Sequence, residues 1–172
     1  MTMRKLWLIL LMGALLVLPA VATAGRGAPG DGSLVVTDAS GRMTVSGHGL
    51  IFGHLDRGSI IVVGEYRPDD NTSLPSVSGA RLRLSGANVV YTGSDVRFLF
   101  PAGRYTLILD GTGIDISAVG SGRITAPNAF SGNVTLDGGH VQPLDSVVGT
   151  LVYGKGGSAA AAAAANGKGR NT

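Results

Sequence analysis

Val96–Leu109 reads VRFLFPAGRYTLIL, and its alternation decides the fold. Val96, Phe98 and Phe100 fall on one side of a pleat, with Arg97 and Leu99 on the other. After Pro101-Ala102-Gly103 the pattern resumes, and Tyr105, Leu107 and Leu109 share a face. A period of two belongs to β-strands, because successive side chains point to opposite faces. Burying each such side chain stabilises the fold by roughly 1.5–3 kcal/mol. Outward from this stretch, Leu82 and Leu84 alternate with Arg81 and Arg83, while Ile60–Val63 (IIVV) is apolar on both faces. A run of the latter kind belongs in the middle of a sheet or beneath a cover. Short apolar runs begin near Leu34, Met43, Leu50, Ile60, Leu82, Val89, Val96, Tyr105, Ile114, Ile124, Val134 and Val147, mostly 7 to 10 residues apart. That spacing leaves no room for intervening helices, and no 3.6-residue stripe runs between Leu34 and Tyr153. The expected class is all-β.

Turn chemistry suggests pairings. Phe100-Pro101-Ala102-Gly103 suits a type I turn, with Pro at its second position and Gly at its fourth. Such a turn would fold Val96–Phe100 onto Arg104–Leu109. Asp110–Gly113 would return the chain into Ile114–Ser117, and Leu55–Gly58 would join Leu50–His54 to Ser59–Val63. Short hairpins in series predict a compact β-sandwich or flattened barrel. A short β-solenoid is the alternative, since brief strands with glycine at the corners suit it too. Against the solenoid stands the lack of a clear rung repeat; Arg57–Gly64 and Ala102–Leu109 are alike only in being Gly-led apolar strands. Pro68–Ser78, with two prolines among polar residues, reads as an exposed loop.

The ends differ from the middle. Arg4 and Lys5 precede an apolar run, Leu6–Leu18, then Pro19 and the small-x-small Ala22-Thr23-Ala24. This is the pattern of a cleavable export signal over residues 1–24, and the run is too short to span a bilayer, which takes about 20 apolar residues. The expected setting is secreted or extracytoplasmic, with no membrane span once the signal is removed. A flexible lead-in over residues 25–33 follows. The all-β domain covers residues 34–153, and an Ala/Gly-rich tail at 154–172, holding seven consecutive alanines, reads as disordered. Cysteine is absent, which excludes disulfide staples, thiolate metal sites and a cysteine nucleophile. Without such support the core must carry the fold, and 148 residues beyond Ala24 suffice for one.

The sequence pI of 9.6 misleads. Nine basic residues face all eleven acidic ones between Gly25 and Tyr153, so that stretch is nearly neutral. With no basic cluster and few aromatics, no nucleic-acid partner is expected.

Three groups of residues are worth testing for chemistry. His48, His54 and Asp56 are the candidate metal ligands. Six residues of straight strand separate the histidines by roughly 20 Å at 3.3 Å each, so only a sharp bend at Gly49 or Gly53 would let them converge. His140, after Asp137-Gly138-Gly139, could join them only through tertiary contact. Asp95, Asp110 and Asp115 are the candidate catalytic carboxylates, with Asp56 and Glu65 behind them. Asp115 stands out because Ile114-Asp115-Ile116 places it mid-strand, where Asp is disfavoured. Glycoside hydrolysis would require two of them about 5–9.5 Å apart. Arg81, Arg83, Arg97 and Arg104 could form a cationic face for an anionic polymer if their strands pair. No serine-nucleophile elbow or phosphate loop occurs, and no cofactor is implied.

Gly53–Gly58 (GHLDRG) and Val96–Ile124 (VRFLFPAGRYTLILDGTGIDISAVGSGRI) resemble a group of small exported bacterial all-β proteins with no assigned activity. The shared pattern is Arg97-Phe98, Gly103-Arg104-Tyr105 and the Gly-Ile-Asp-x-Ser-x-Val-Gly segment at Gly113–Gly120. The resemblance covers about half of the chain beyond Ala24. It implies a bacterial envelope or extracellular setting and brings no catalytic residue with it. The tail and Pro68–Ser78 depart from the pattern. The resulting expectation is a non-enzymatic exported protein that binds or structures an envelope polymer or protein. A secreted hydrolase acting on carbohydrate through Asp115 with Asp95 or Asp110 is the alternative.

Overall fold

The computed structural model describes residues 31–70, 74–147 and 149–154. The expected export signal over residues 1–24, most of the expected lead-in and nearly all of the Ala/Gly-rich tail lie outside these residues. Six strands form one antiparallel sheet: β1 (Gly32–Val62), β2 (Arg67–Pro68), β3 (Ser76–Ser85), β4 (Asn88–Leu136), β5 (Gln142–Pro143) and β6 (Thr150–Tyr153). A single 3-10 turn, Leu144–Ser146, is the only helical element among the described residues. No described helix is long and apolar enough to cross a membrane.

Two strands do most of the work. β1 is 31 residues long and β4 is 49, and β4 pairs with both edges of β1. Leu109 of β4, for example, is the partner of both Met43 and Ile60, seventeen residues apart in β1. Gly58 of β1 is likewise the partner of Gly93 and Gly111, eighteen apart in β4. The two strands therefore wind around one another as an antiparallel pair, one turn taking seventeen or eighteen residues. Each turn contributes one segment to each of two faces. One face runs in the order 80–85, 88–93, 57–62, 107–111, 41–46, 124–129 and β6. The other runs 76–78, 96–100, 51–55, 114–119, 33–37, 133–136 and β5.

The alternation read from Val96–Leu109 places its residues inward. Val96, Phe98, Phe100, Tyr105, Leu107 and Leu109 are all buried, in one core with Leu34, Val36, Met43, Val45, Ile51, Leu55, Ile60, Ile114, Ile116 and Ile124. Residues from both faces are fully enclosed there, as required when two layers cover each other. The all-β arrangement is one antiparallel sheet coiled into two facing layers: the layers cover each other as in a sandwich, while the chain runs through them as in the solenoid alternative and not as a series of short hairpins. Closure into a barrel does not occur, because the row Arg83–Val90–Ile61–Ile108–Thr44–Thr125–Thr150 ends at β3 on one side and β6 on the other. Ile60–Val62 sit mid-sheet as their composition predicts, while Val63 falls just past the end of β1 and is exposed.

The predicted hairpins are corrected. Val96–Phe100 does not fold onto Arg104–Leu109; it pairs with residues 51–55 and 76–78, while Arg104–Leu109 pairs with residues 43–48. Pro101-Ala102, Asp56 and Thr112-Gly113 are corners at which the chain crosses from one face to the other. The one tight hairpin turn is Gly86-Ala87, between β3 and β4. Pro68–Ser78 is also less of a loop than expected. Arg67–Pro68 pairs with Arg104–Gly103, and β3 starts at Ser76.

Glycine explains why the corners stack. Gly41, Gly111, Gly58 and Gly93 are consecutive cross-strand partners along one edge of the sandwich, and Gly103, Gly49 and Gly120 along the other. A Cβ on Gly49 would collide with the Val119 carbonyl, and one on Gly120 with the His48 carbonyl. At both positions φ is strongly positive, +137° and +141°, which L side chains rarely adopt. Each bend thus nests against the backbone of the next turn.

Candidate functional site

His54 lies in the row Ser78–Arg97–His54–Asp115, beside the corner at which β1 changes faces. Its Nε2 is 2.9 Å from Asp95 Oδ1 and its Nδ1 is 3.8 Å from Asp56 Oδ1. The register explains the meeting. Asp95 and Asp56 are the corner residues of adjacent strands, one step from Arg97 and His54. Asp95 takes a left-handed backbone, φ +52°, which Asp tolerates better than most residues. Arg97 reaches the same carboxylate at 3.4 Å. The His54 hydrogen bond first, and then the Arg97 charge, hold the Asp95 carboxyl below its ordinary value. Asp95 is thereby kept ionised and occupied, a poor general acid.

Asp115 is exposed and employed elsewhere. Its Oδ1 accepts the backbone N–H of Asp38 at 2.8 Å, fixing the neighbouring left-handed corner at φ +49°. Asp110 pairs with Arg42 at 3.2 Å on the outside of the other face. The three candidate carboxylates therefore serve three different local partners, and no shared cleft gathers them.

The histidines also part company. His48 Nε2 meets Asp69 Oδ1 at 2.7 Å, so it fastens the segment after β1 rather than approaching His54. Among the described residues no group of three His, Cys, Asp or Glu is placed to hold a metal ion. The four arginines do not share a face: Arg81 and Arg83 lie on the β3 edge, while Arg97 lies on the other layer and Arg104 beside His48 and Arg67. His140 and Glu65 are exposed and join neither cluster, Glu65 lying 3.7 Å from Arg67.

One concave feature is mostly apolar, and no motif in the sequence announced it. A cavity of about 420 Å³ opens where the core reaches the β3 edge, lined chiefly by Val62, Tyr66, Pro75, Val89, Tyr91 and Phe100, with Glu65 as its charged member. Its volume lies in the range of small-molecule sites. Tyr66 forms one wall and is held on three counts. Its hydroxyl donates to the Pro101 carbonyl at 2.9 Å, its ring meets Phe100 edge-on at 5.6 Å, and the segment carrying it is tied down by Asp69 N–H to the Ala102 carbonyl and by His48. Partial burial, and then Asp69 and Asp70, raise the Tyr66 phenol above its usual value, so it stays protonated and able to donate. Tyr66, Tyr91 and Phe100 stand well apart in the sequence, so nothing there marked them as one site.

The same apolar face continues beyond the cavity. Leu82 is the partner of Tyr91 and Leu84 of Val89, so both leucines extend the core rows of their layer. Yet they are 60% and 71% exposed, because nothing described lies over them. Compared with family models, curated proteins and solved structures, the chain matches none.

Proposed function

We propose that this chain is a non-enzymatic exported protein that binds or structures a component of the bacterial envelope or its surroundings. One observation carries the reading. His48, His54, Asp95, Asp110 and Asp115 each hold a neighbouring residue, whereas the concavity is mostly apolar and aromatic, with Glu65 the one charged residue in its lining. Such a surface recognises mainly shape and apolar area. The export signal at residues 1–24 and the resemblance to small exported bacterial proteins support the location.

Expression of the full chain in a bacterial host tests both halves. The protein should leave the cytoplasm with a new N terminus at Gly25 and sediment with the envelope fraction. Tyr66→Ala combined with Tyr91→Ala should release it into the soluble extracytoplasmic fraction. Retention in the cytoplasm with Met1 intact overturns the location. Turnover of a glycan that disappears in Asp115→Asn overturns the binding role in favour of hydrolysis.

A further inference from the structure

We infer that the free edge of β3 receives an extended acidic segment of a partner protein as an additional strand. The inference rests on the binding role proposed above and names its partner. Four observations converge on the edge. Among the described residues β3 pairs only with β4, so the backbone groups along the other side of Ala80–Ser85 have no ladder partner. Leu82 and Leu84 point to the core side and are largely uncovered. The 420 Å³ cavity opens directly beside them, behind Val89 and Tyr91. Arg81 and Arg83 alternate with the leucines on the opposite side, and no described acidic group lies within ion-pair distance of either.

These features specify the occupant. An added strand gains main-chain hydrogen bonds from an exposed edge, and its alternate side chains meet the two faces separately. Apolar residues on one side would cover Leu82 and Leu84 and enter the cavity mouth. Carboxylates on the other would stand beside Arg81 and Arg83. Cross-strand opposite charges favour pairing, and like charges oppose it. This last rule excludes the nearest alternatives. A second copy paired antiparallel through β3 would set Arg81 near the Arg83 of its partner, and Arg83 near Arg81. The charged stretches of this chain outside the described residues carry the wrong sign too. Gly25–Gly30 holds Arg26 and no acid, and residues 155–172 hold Lys155, Lys168 and Arg170 and no acid. The complementary strand is acidic and comes from another protein.

A labelled eight-residue peptide of alternating Glu and Val, titrated into the full chain by fluorescence anisotropy, tests this. Saturable binding is expected, at least tenfold tighter than for the Lys/Val counterpart. The same acidic peptide N-methylated throughout keeps its charges and side chains but loses its donors, and should bind at least tenfold more weakly. In the Arg81→Glu, Arg83→Glu double variant the preference should reverse toward the Lys/Val peptide. Both arginines are exposed, so an unchanged melting temperature certifies the fold of that variant. Four results would overturn the inference: no saturable binding at millimolar peptide, equal binding of both peptides, indifference to N-methylation, or a concentration-dependent dimer in sedimentation that Leu82→Lys abolishes. Failure here with the Tyr66/Tyr91-dependent envelope association intact would sink the edge-strand partner and leave the binding role standing.

Discussion

The two ends of the sandwich are built from the same alternating sequence and finished in opposite ways. At the β6 end, Tyr153 is fully buried and its hydroxyl meets that of Tyr105 at 2.9 Å. The two rings flank the row Tyr105–Gly47–Gly122–Tyr153, and the two glycines leave the space in which the hydroxyls meet. Burial raises both phenols above their usual value, so the pair stays neutral. Leu144, from the 3-10 turn between β5 and β6, is buried and closes the gap between the layers. Asp137 finishes the seal by accepting the backbone N–H groups of Ser33 and Gly154, near the two ends of the sheet-forming chain. At the β3 end the rows simply run out, onto Leu82 and Leu84 and an open cavity. Alternation alone therefore does not decide what becomes core; a covering element does.

Four substitutions would break or sharpen that contrast. Tyr153→Ala removes a fully enclosed ring and should cost about 3–5 kcal/mol. At roughly 2–4 °C per kcal/mol for a domain of this size, thermal melting would show it plainly. Tyr153→Phe isolates the Tyr105 hydroxyl in the core and should cost about 1–3 kcal/mol, the desolvation penalty of an unmatched polar group. Its readout is a two-state denaturant titration with unchanged slope. Leu84→Ser, although it removes a leucine from the same face, should fall within about 0.5 kcal/mol of the parent. A large destabilisation there would mean that the β3 end is sealed as firmly as the other. The smallest effect concerns acid. Because the Asp95 carboxyl is held low in the folded protein, its contribution is fully present above the usual carboxylate value and lost as pH falls through the lowered one. Asp95→Asn should flatten the acid limb of stability against pH, and an identical limb in the variant would deny the His54–Asp95 pair any role.

Much of the fold was legible. Alternation in Val96–Phe100 and Tyr105–Leu109 identified buried faces correctly, and the turn residues at Pro101, Asp56 and Gly113 marked real bends. What could not be read was the direction taken at each bend. A type I turn and a corner between two layers use the same residues, and only the partner strand distinguishes them. The seventeen-residue step was present but disguised, since Gly41 and Gly58, Met43 and Ile60, and Val45 and Val62 occupy equivalent places. A second strand running the opposite way, with a step of mostly eighteen, interleaves its own rungs between them. Among the site residues, His54 and Asp95 were legible as residues of interest but not as partners, because they are 41 positions apart. The cavity was illegible for a related reason: Tyr66 and Tyr91 come to line it together only through a segment that His48 and Asp69 fasten.

The interleaved winding also sets an order of events. Gly32 has no native partner until Gly120 exists, and Leu34 needs both Ala118 and Leu136. Long-range pairings of this kind impose a heavy loop-closure cost before any contact rewards it, and they make folding slow. The first half of β1 has native partners only at residues 105–136, whereas its second half can already pair with residues 89–104. The coil therefore closes last at its β5 and β6 side, long after the β3–β4 hairpin has both of its strands.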